Sequence, residues 1–240
     1  MNTCLPAIET ENLCVAYAET TVLQSVDLVI PAGIVMGLAG PNGAGKTTLL
    51  KAILDLVPAC AGEIRLFGKP LSANRMQVAY VPQRSAIDWD FPVNVHDFVM
   101  MGTYGRLGWI RRPGEREKQQ VATALQRLGM TEHADRQIGE LSGGQQQRTF
   151  LARAFVQDAA VCLLDEPFVG VDVPTEQTIV GLLHEMRDAG KTIVVVQHDL
   201  KTVESYFDHI TFVNRRIVAC GPVAETFTDA NIEATYHTVF

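Results

Sequence analysis

No stretch of this chain approaches the roughly 18 consecutive apolar residues that cross a bilayer. The most apolar run, Gly33 to Gly40, is short and ends in turn residues. The first residues hold no charged start followed by an apolar block, so no secretory leader is expected. The five cysteines (Cys4, Cys14, Cys60, Cys162 and Cys220) are scattered, odd in number and include no Cys-x-x-Cys pair. That argues against a disulfide framework and predicts free thiols in a reducing compartment. The six histidines show no metal-ligand spacing, which disfavours a bound zinc. Basic residues are in the minority, 20 Lys and Arg against 27 Asp and Glu, for a formal net charge of -7. A nucleic-acid partner needs clustered cations, so none is expected. There is no repeat of roughly 20 to 50 residues and no low-complexity linker.

What remains is an ordinary soluble composition, 47% apolar and 20% charged over 240 residues, enough for one large domain with its own core. The first third reads mostly as strands: Val22 to Ile30, the continuous apolar run Gly33 to Ala39, Glu63 to Phe67 and Gln77 to Val81, with a helix from about Lys46 to Leu56. From about Val93 to Asp158 the pattern turns helical. Arg116 to Leu128 sets Val121, Leu125 and Leu128 on one face before a stop at Gly129, and Gly143 to Asp158 turns Leu151, Ala154 and Phe155 inward. Strand and helix then alternate again: Val161 to Leu164, Thr175 to Ala189 and Thr192 to Val196, followed by short strands at Ile210 to Val213 and Ile217 to Ala219. This order predicts an α/β core with a mostly parallel sheet, interrupted by a helical insertion.

The strongest local signal is Gly40-Pro41-Asn42-Gly43-Ala44-Gly45-Lys46-Thr47, a G-x-x-x-x-G-K-[ST] loop between a buried strand and a helix. Glycines let successive backbone N–H groups approach an anion, and the helix end adds partial positive charge. Lys46 would reach the β- and γ-phosphates of a nucleotide, and the Thr47 hydroxyl would coordinate Mg²⁺. A second signal is the apolar strand Val161 to Leu164 running into Asp165-Glu166, which puts two acids at the carboxyl edge of a parallel sheet. Asp165 suits Mg²⁺, directly or through water, and Glu166 suits a general base acting on the attacking water. A third is Leu141-Ser142-Gly143-Gly144-Gln145 ahead of a helix, with Ser142 as the N-cap and the glycines exposing N–H groups to an anion.

Taken along the chain, the phosphate loop, Gln83 in Val81-Pro82-Gln83, Leu141 to Gln145, Asp165-Glu166, Asp172 in Gly170-Val171-Asp172 and His198 after the strand Ile193 to Val196 resemble, in that order, the ATP-binding subunit of ABC transporters over nearly the whole chain. The resemblance implies an α/β fold of ABC ATPase type: a phosphate-loop NTPase core, mostly parallel with an antiparallel β part, carrying an inserted helical subdomain at about 84–160 within a single domain over 1–240. It also implies ATP and Mg²⁺ as cofactors, with Gly40 through Thr48 around the phosphates and Tyr17 stacked on adenine. Thr47, Gln83 and Asp165 would serve Mg²⁺, and Glu166, Gln83 and His198 would serve hydrolysis. Ser142, Gly143, Gly144 and Gln145 would reach the nucleotide of a second copy in a head-to-tail dimer, and Asp172 would cross that interface. Val169-Gly170 departs from the small Ser or Ala residues frequent there.

The stretch Ile87-Asp88-Trp89-Asp90-Phe91-Pro92, with Met101 to Gly105 and Gly108 to Arg112, is similar to the manganese/zinc/iron importer branch. It lies where that family contacts its membrane permease. This implies a peripheral subunit at the cytoplasmic face of the cell membrane, served indirectly by an extracytoplasmic metal-binding protein, with manganese favoured over zinc or iron. Trp109 with Arg111 and Arg112 invites contact with lipid headgroups, although an ordinary surface loop is the favoured reading. Three other readings compete. A soluble ABC ATPase of translation or DNA repair would usually carry two such domains or a long coiled coil. A small-metabolite kinase leaves Ser142 to Gln145 without a purpose, and a non-enzymatic nucleotide switch leaves Glu166 and His198 without one.

Overall fold

The computed structural model describes residues 5–18, 20–84, 87, 89–108 and 110–237. Asp88 of the importer-like stretch and Trp109 of the headgroup reading lie outside the described residues. The chain opens with β1 (Ile8–Tyr17) and β2 (Thr20–Ile30), then β3 (Val35–Ala39) and α1 (Lys46–Ile53). Next come β4 (Ala61–Leu66), β5 (Lys69–Pro70), α2 (Leu71–Asn74) and β6 (Val78–Val81). Helices α3 (Val95–Met100), α4 (Tyr104–Leu107), α5 (Glu115–Arg127) and α6 (Gly143–Gln157) separate β6 from β7 (Val161–Asp165). After these, α7 (Val173–Asp188), β8 (Thr192–Val196), α8 (Val203–Tyr206), β9 (His209–Asn214), β10 (Arg216–Pro222), α9 (Val223–Thr226) and α10 (Asp229–Tyr236) complete the chain.

The strands form two sheets. The smaller is antiparallel, in the order β2-β1-β4-β5. The larger runs β10-β9-β3-β8-β7-β6 and is parallel throughout except for the β9–β10 hairpin. Its central strands are buried at every position, which is why β3, β7 and β8 read as continuous apolar runs rather than alternating ones. Successive side chains feed opposite cores. Val194 and Val196 of β8 pack with α1 and the antiparallel sheet, whereas Ile193 and Val195 pack with the helices between β6 and β7 and with α7.

The helices follow their apolar spacing, with differences at their ends. Val121, Leu125 and Leu128 are buried, and Gly129 stops the chain at φ +62°. On α6, Leu151 and Ala154 are buried, while Phe155 is half-buried beneath the Arg127 guanidinium, 5.2 Å from its ring centre. Helix α1 ends at Ile53, short of the expected Leu56, because Asp55 turns to φ +57° and Leu56 is left 60% exposed. Strand β1 and helix α10 gave no separate signal in the sequence.

Candidate active site

Strand β3, buried on both faces, delivers the chain to Gly40, and the phosphate loop curls from there into α1. Gly45 sits at φ +97°, and a Cβ there would come within 2.6 Å of Leu23 Cδ2, so both backbone and packing require glycine. No side chain caps α1 and no acid occupies its first turn, which leaves that helix end positive. Lys46 is buried and folds back on its own loop, donating to the carbonyl oxygens of Gly40 (2.8 Å) and Pro41 (2.9 Å). Burial lowers its pKa, and the charges of Glu166 and Asp165 push it back up. A pocket of about 290 Å³ opens over this loop, lined by residues 42–48 with Val22, Glu166 and His198.

The acids come from the neighbouring strand ends. Strands β6, β7 and β8 are adjacent and parallel, with Val81 beside Leu164 and Asp165 beside Val196. Gln83, Asp165-Glu166 and His198 therefore emerge at one edge of the sheet although they are far apart in the chain. Asp165 is fully buried, and its Oδ1 accepts from the Thr47 hydroxyl at 3.1 Å. Its Oδ2 is buried without a hydrogen bond of standard geometry. Burial raises the Asp165 pKa, with the Thr47 hydrogen bond opposing and the Glu166 charge adding. The half-buried Tyr80 hydroxyl is also pushed up, by burial first and then by the Asp165 charge.

Glu166 holds a left-handed backbone, φ +55°, which costs a residue with a Cβ roughly 1–2 kcal/mol. That conformation aims its carboxylate between two partners. Oε2 accepts from Gln83 Nε2 at 2.8 Å, and Oε1 meets His198 Nε2 at 2.5 Å. The donor set around Thr47, Asp165 and the Gln83 side-chain oxygen is hard and oxygen-based, and the buried Asp165 Oδ2 has no hydrogen bond of standard geometry among the described residues. Mg²⁺ fits such a set.

The remaining predicted residues lie elsewhere. None of Tyr17, Ser142, Gly143, Gly144, Gln145 and Asp172 lines the phosphate pocket of its own chain. Tyr17 ends β1 about half exposed. Ser142 caps α6 reciprocally with Gln145: Gln145 N–H donates to Ser142 Oγ at 3.4 Å and Ser142 N–H donates to Gln145 Oε1 at 2.9 Å. Gly144 abuts the segment before Asp172, since a Cβ there would lie 3.3 Å from the Gly170 carbonyl oxygen. Asp172 caps α7 by accepting from Thr175 N–H at 2.9 Å, and that hydrogen bond lowers its pKa.

Three neighbours escaped the motif reading. Tyr80 stands beside Asp165. Arg84 donates from Nε to Gln146 Oε1 at 2.8 Å, next to Gly143. His133 faces Gln145 Nε2 at 2.9 Å. Only Arg84 had any signal in the sequence, its place directly after Gln83.

Residues 23–169 match the family model for the ABC transporter. The chain is 54% identical to the zinc transport system ATP-binding protein TroB of Treponema pallidum over 230 residues, 96% of this chain and 86% of that protein. It is 48% identical to the manganese transport system ATP-binding protein MntB of Bacillus subtilis, over 95% of this chain and 92% of that one. Among solved structures it resembles cbiO1 of Clostridium perfringens, part of the ABC transporter complex cbiONQ. The TM-score is 0.79 at 27% identity, covering 95% of this chain and 93% of that one.

Proposed function

The chain belongs to the ABC transporter family as an ATP-binding ATPase subunit of the manganese and zinc transport type, and we propose that its ATP hydrolysis drives a divalent metal through a separate membrane permease. Manganese is the first candidate, with zinc and iron next. The observation that carries the reading is the Glu166 carboxylate, held by Gln83 and His198 at the rim of the phosphate pocket. The chain works as one ATPase unit over 1–240 with its helical part at about 84–160. It sits at the cytoplasmic face of the membrane, beside a permease fed by an extracytoplasmic metal-binding protein. Among the described residues no helix is long and apolar enough to cross a membrane.

The chemistry follows from the arrangement. When the triphosphate enters, Lys46 leaves the carbonyls of Gly40 and Pro41 for the β- and γ-phosphates, whose charge favours its ammonium form. Residues 40–48 wrap the phosphates, and Tyr17 stacks on the adenine. Thr47, Asp165 and Gln83 would hold Mg²⁺, which would supply positive charge against the phosphate oxygens. As Gln83 turns away, Glu166 Oε2 accepts a proton from water while the water oxygen bonds to the γ-phosphorus. The bond from that phosphorus to the bridging oxygen breaks, giving ADP and phosphate. His198 remains near the γ-phosphate.

A second copy, head to tail, supplies Ser142, Gly143, Gly144 and Gln145 to the same γ-phosphate, while Asp172 meets its counterpart region across the interface. The triphosphate then bridges two positive helix ends, and its cleavage removes the bridge. The test is co-expression with the permease, reading ATPase activity and radiolabelled manganese uptake, with Glu166→Gln as control. Uptake that requires this chain and vanishes in the variant supports the proposal. ATPase activity without manganese uptake overturns manganese as the cargo.

A further inference from the structure

We infer that His133 is a positioning residue for the first turn of α6: by accepting a hydrogen bond from Gln145, it holds Ser142 and Gly144 in the shape that the second copy's nucleotide needs. The inference rests on the reading of Ser142 and Gly144 given above.

The direction of the hydrogen bond is fixed by chemistry. A glutamine carboxamide has one acceptor end and one donor end. The Ser142 backbone N–H can only donate, so the Gln145 atom facing it at 2.9 Å is the oxygen. The amide nitrogen therefore faces His133 Nε2 at 2.9 Å, and that ring nitrogen must accept. The other half of the cap, Gln145 N–H to Ser142 Oγ, is long at 3.4 Å. Beside the backbone bond from Gln146 N–H to the Ser142 carbonyl (2.9 Å), the side-chain half of the cap rests on Gln145, pinned at one end by Ser142 and at the other by His133.

His133 is well placed to pin it. Its N–H donates to the Met130 carbonyl and its own carbonyl accepts from Arg136 N–H, both at 3.0 Å. The same turn is bonded to the start of α3, through His96 N–H to the Ala134 carbonyl (2.9 Å) and Val95 N–H to the Arg136 carbonyl (3.0 Å). The imidazole therefore hangs from a backbone-braced turn and holds a residue of the helix end that serves the other nucleotide. A change at the start of α3 has a direct mechanical route to Ser142.

The test uses the assembled transporter. ATPase kcat and KM are measured for His133→Leu, which removes the acceptor, and for His133→Gln, whose oxygen reaches about where Nε2 lies. Leu should lower kcat about tenfold, the effect of losing a hydrogen bond at the upper end of the usual range. Binding of a fluorescent ATP analogue to the isolated chain should stay within about twofold, because the phosphate loop is untouched, and Gln should recover most of the loss. Wild-type kcat in Leu, or a Gln variant as slow as Leu, overturns the inference. If Leu fails to fold, His133→Asn, polar but too short to reach Gln145, must show the same loss. Ser142→Arg separates the two levels. If it stops hydrolysis while Leu does not, only the role of His133 fails; if it leaves hydrolysis unchanged, the reading of Ser142 fails and takes this inference with it.

Discussion

Helices α1 and α6 both begin in glycine-rich turns, yet they are finished differently. The first turn of α1 has no capping side chain and no acid, and its lysine rests on carbonyls of its own loop. The first turn of α6 is closed by Ser142 and Gln145, braced by His133 and flanked by Arg84. Around α1 stand a buried acid, a carboxylate with two partners and a histidine, all from strand ends of one sheet. Among the described residues none of those hydrogen-bonds the first turn of α6, although Glu166 shares a pocket with Gln147 further along that helix. The difference teaches that an uncapped helix end beside strand termini is a site that one chain completes, whereas a capped end on the inserted helices is a preformed surface that must meet its substrate on another molecule.

The sharpest way to break this comparison is Glu166→Gln. Loss of a general base should cut ATP turnover by about 10²–10⁴-fold while ATP binding persists, measured by phosphate release and by nucleotide titration. Residual turnover near wild type would mean that the strand-end cluster is not where cleavage is promoted. Next in size, Lys46→Ala removes charged contacts at the uncapped end. ATP affinity of the isolated chain should fall about 10- to 100-fold, read by equilibrium binding. At the capped end, Ser142→Ala should cost about 1 kcal/mol of stability in denaturant unfolding and leave ATP binding by the isolated chain unchanged. A loss of ATP binding there would erase the distinction between the two ends.

The smallest effect concerns Asp165. Burial holds its pKa above the ordinary carboxylate value, so the folded chain keeps that proton more readily than the unfolded chain does. The ionised carboxylate therefore costs stability above the folded pKa, and the cost is gone once pH falls below the unfolded value of about 3.9. Without Mg²⁺ and nucleotide, Asp165→Asn should raise Tm by a few degrees near neutral pH, with the gain shrinking on acidification. An unchanged or lower Tm in the variant would show that Thr47 already compensates the charge.

Much of this was legible in the residues because it is local. The phosphate loop lies within eight consecutive positions between a buried strand and a helix, and Asp165-Glu166 end an apolar run, so spacing alone located them. The contact between Gln83 and Glu166 spans 83 positions and depends on the order β8-β7-β6, which no periodicity encodes; only the family resemblance brought them together. The ends of elements were less legible. Helix α1 stops at Ile53 because Asp55 turns left-handed, although Leu54 and Leu56 continue the apolar pattern. His133 was invisible for a related reason, since a lone histidine in a short turn has no pattern until a folded partner stands opposite it.

The arrangement at Glu166 has one more consequence. Each oxygen of the carboxylate has a partner, Gln83 on one and His198 on the other. In the role proposed for it, the base shares lone pairs with Gln83 and His198, which weakens its pull on a proton from water, and drawing Gln83 away would strengthen it. The two contacts then act as a brake on ATP cleavage, eased as Gln83 moves. How tightly a transporter of this kind ties fuel use to cargo would be set, in part, by the strength of two side-chain hydrogen bonds.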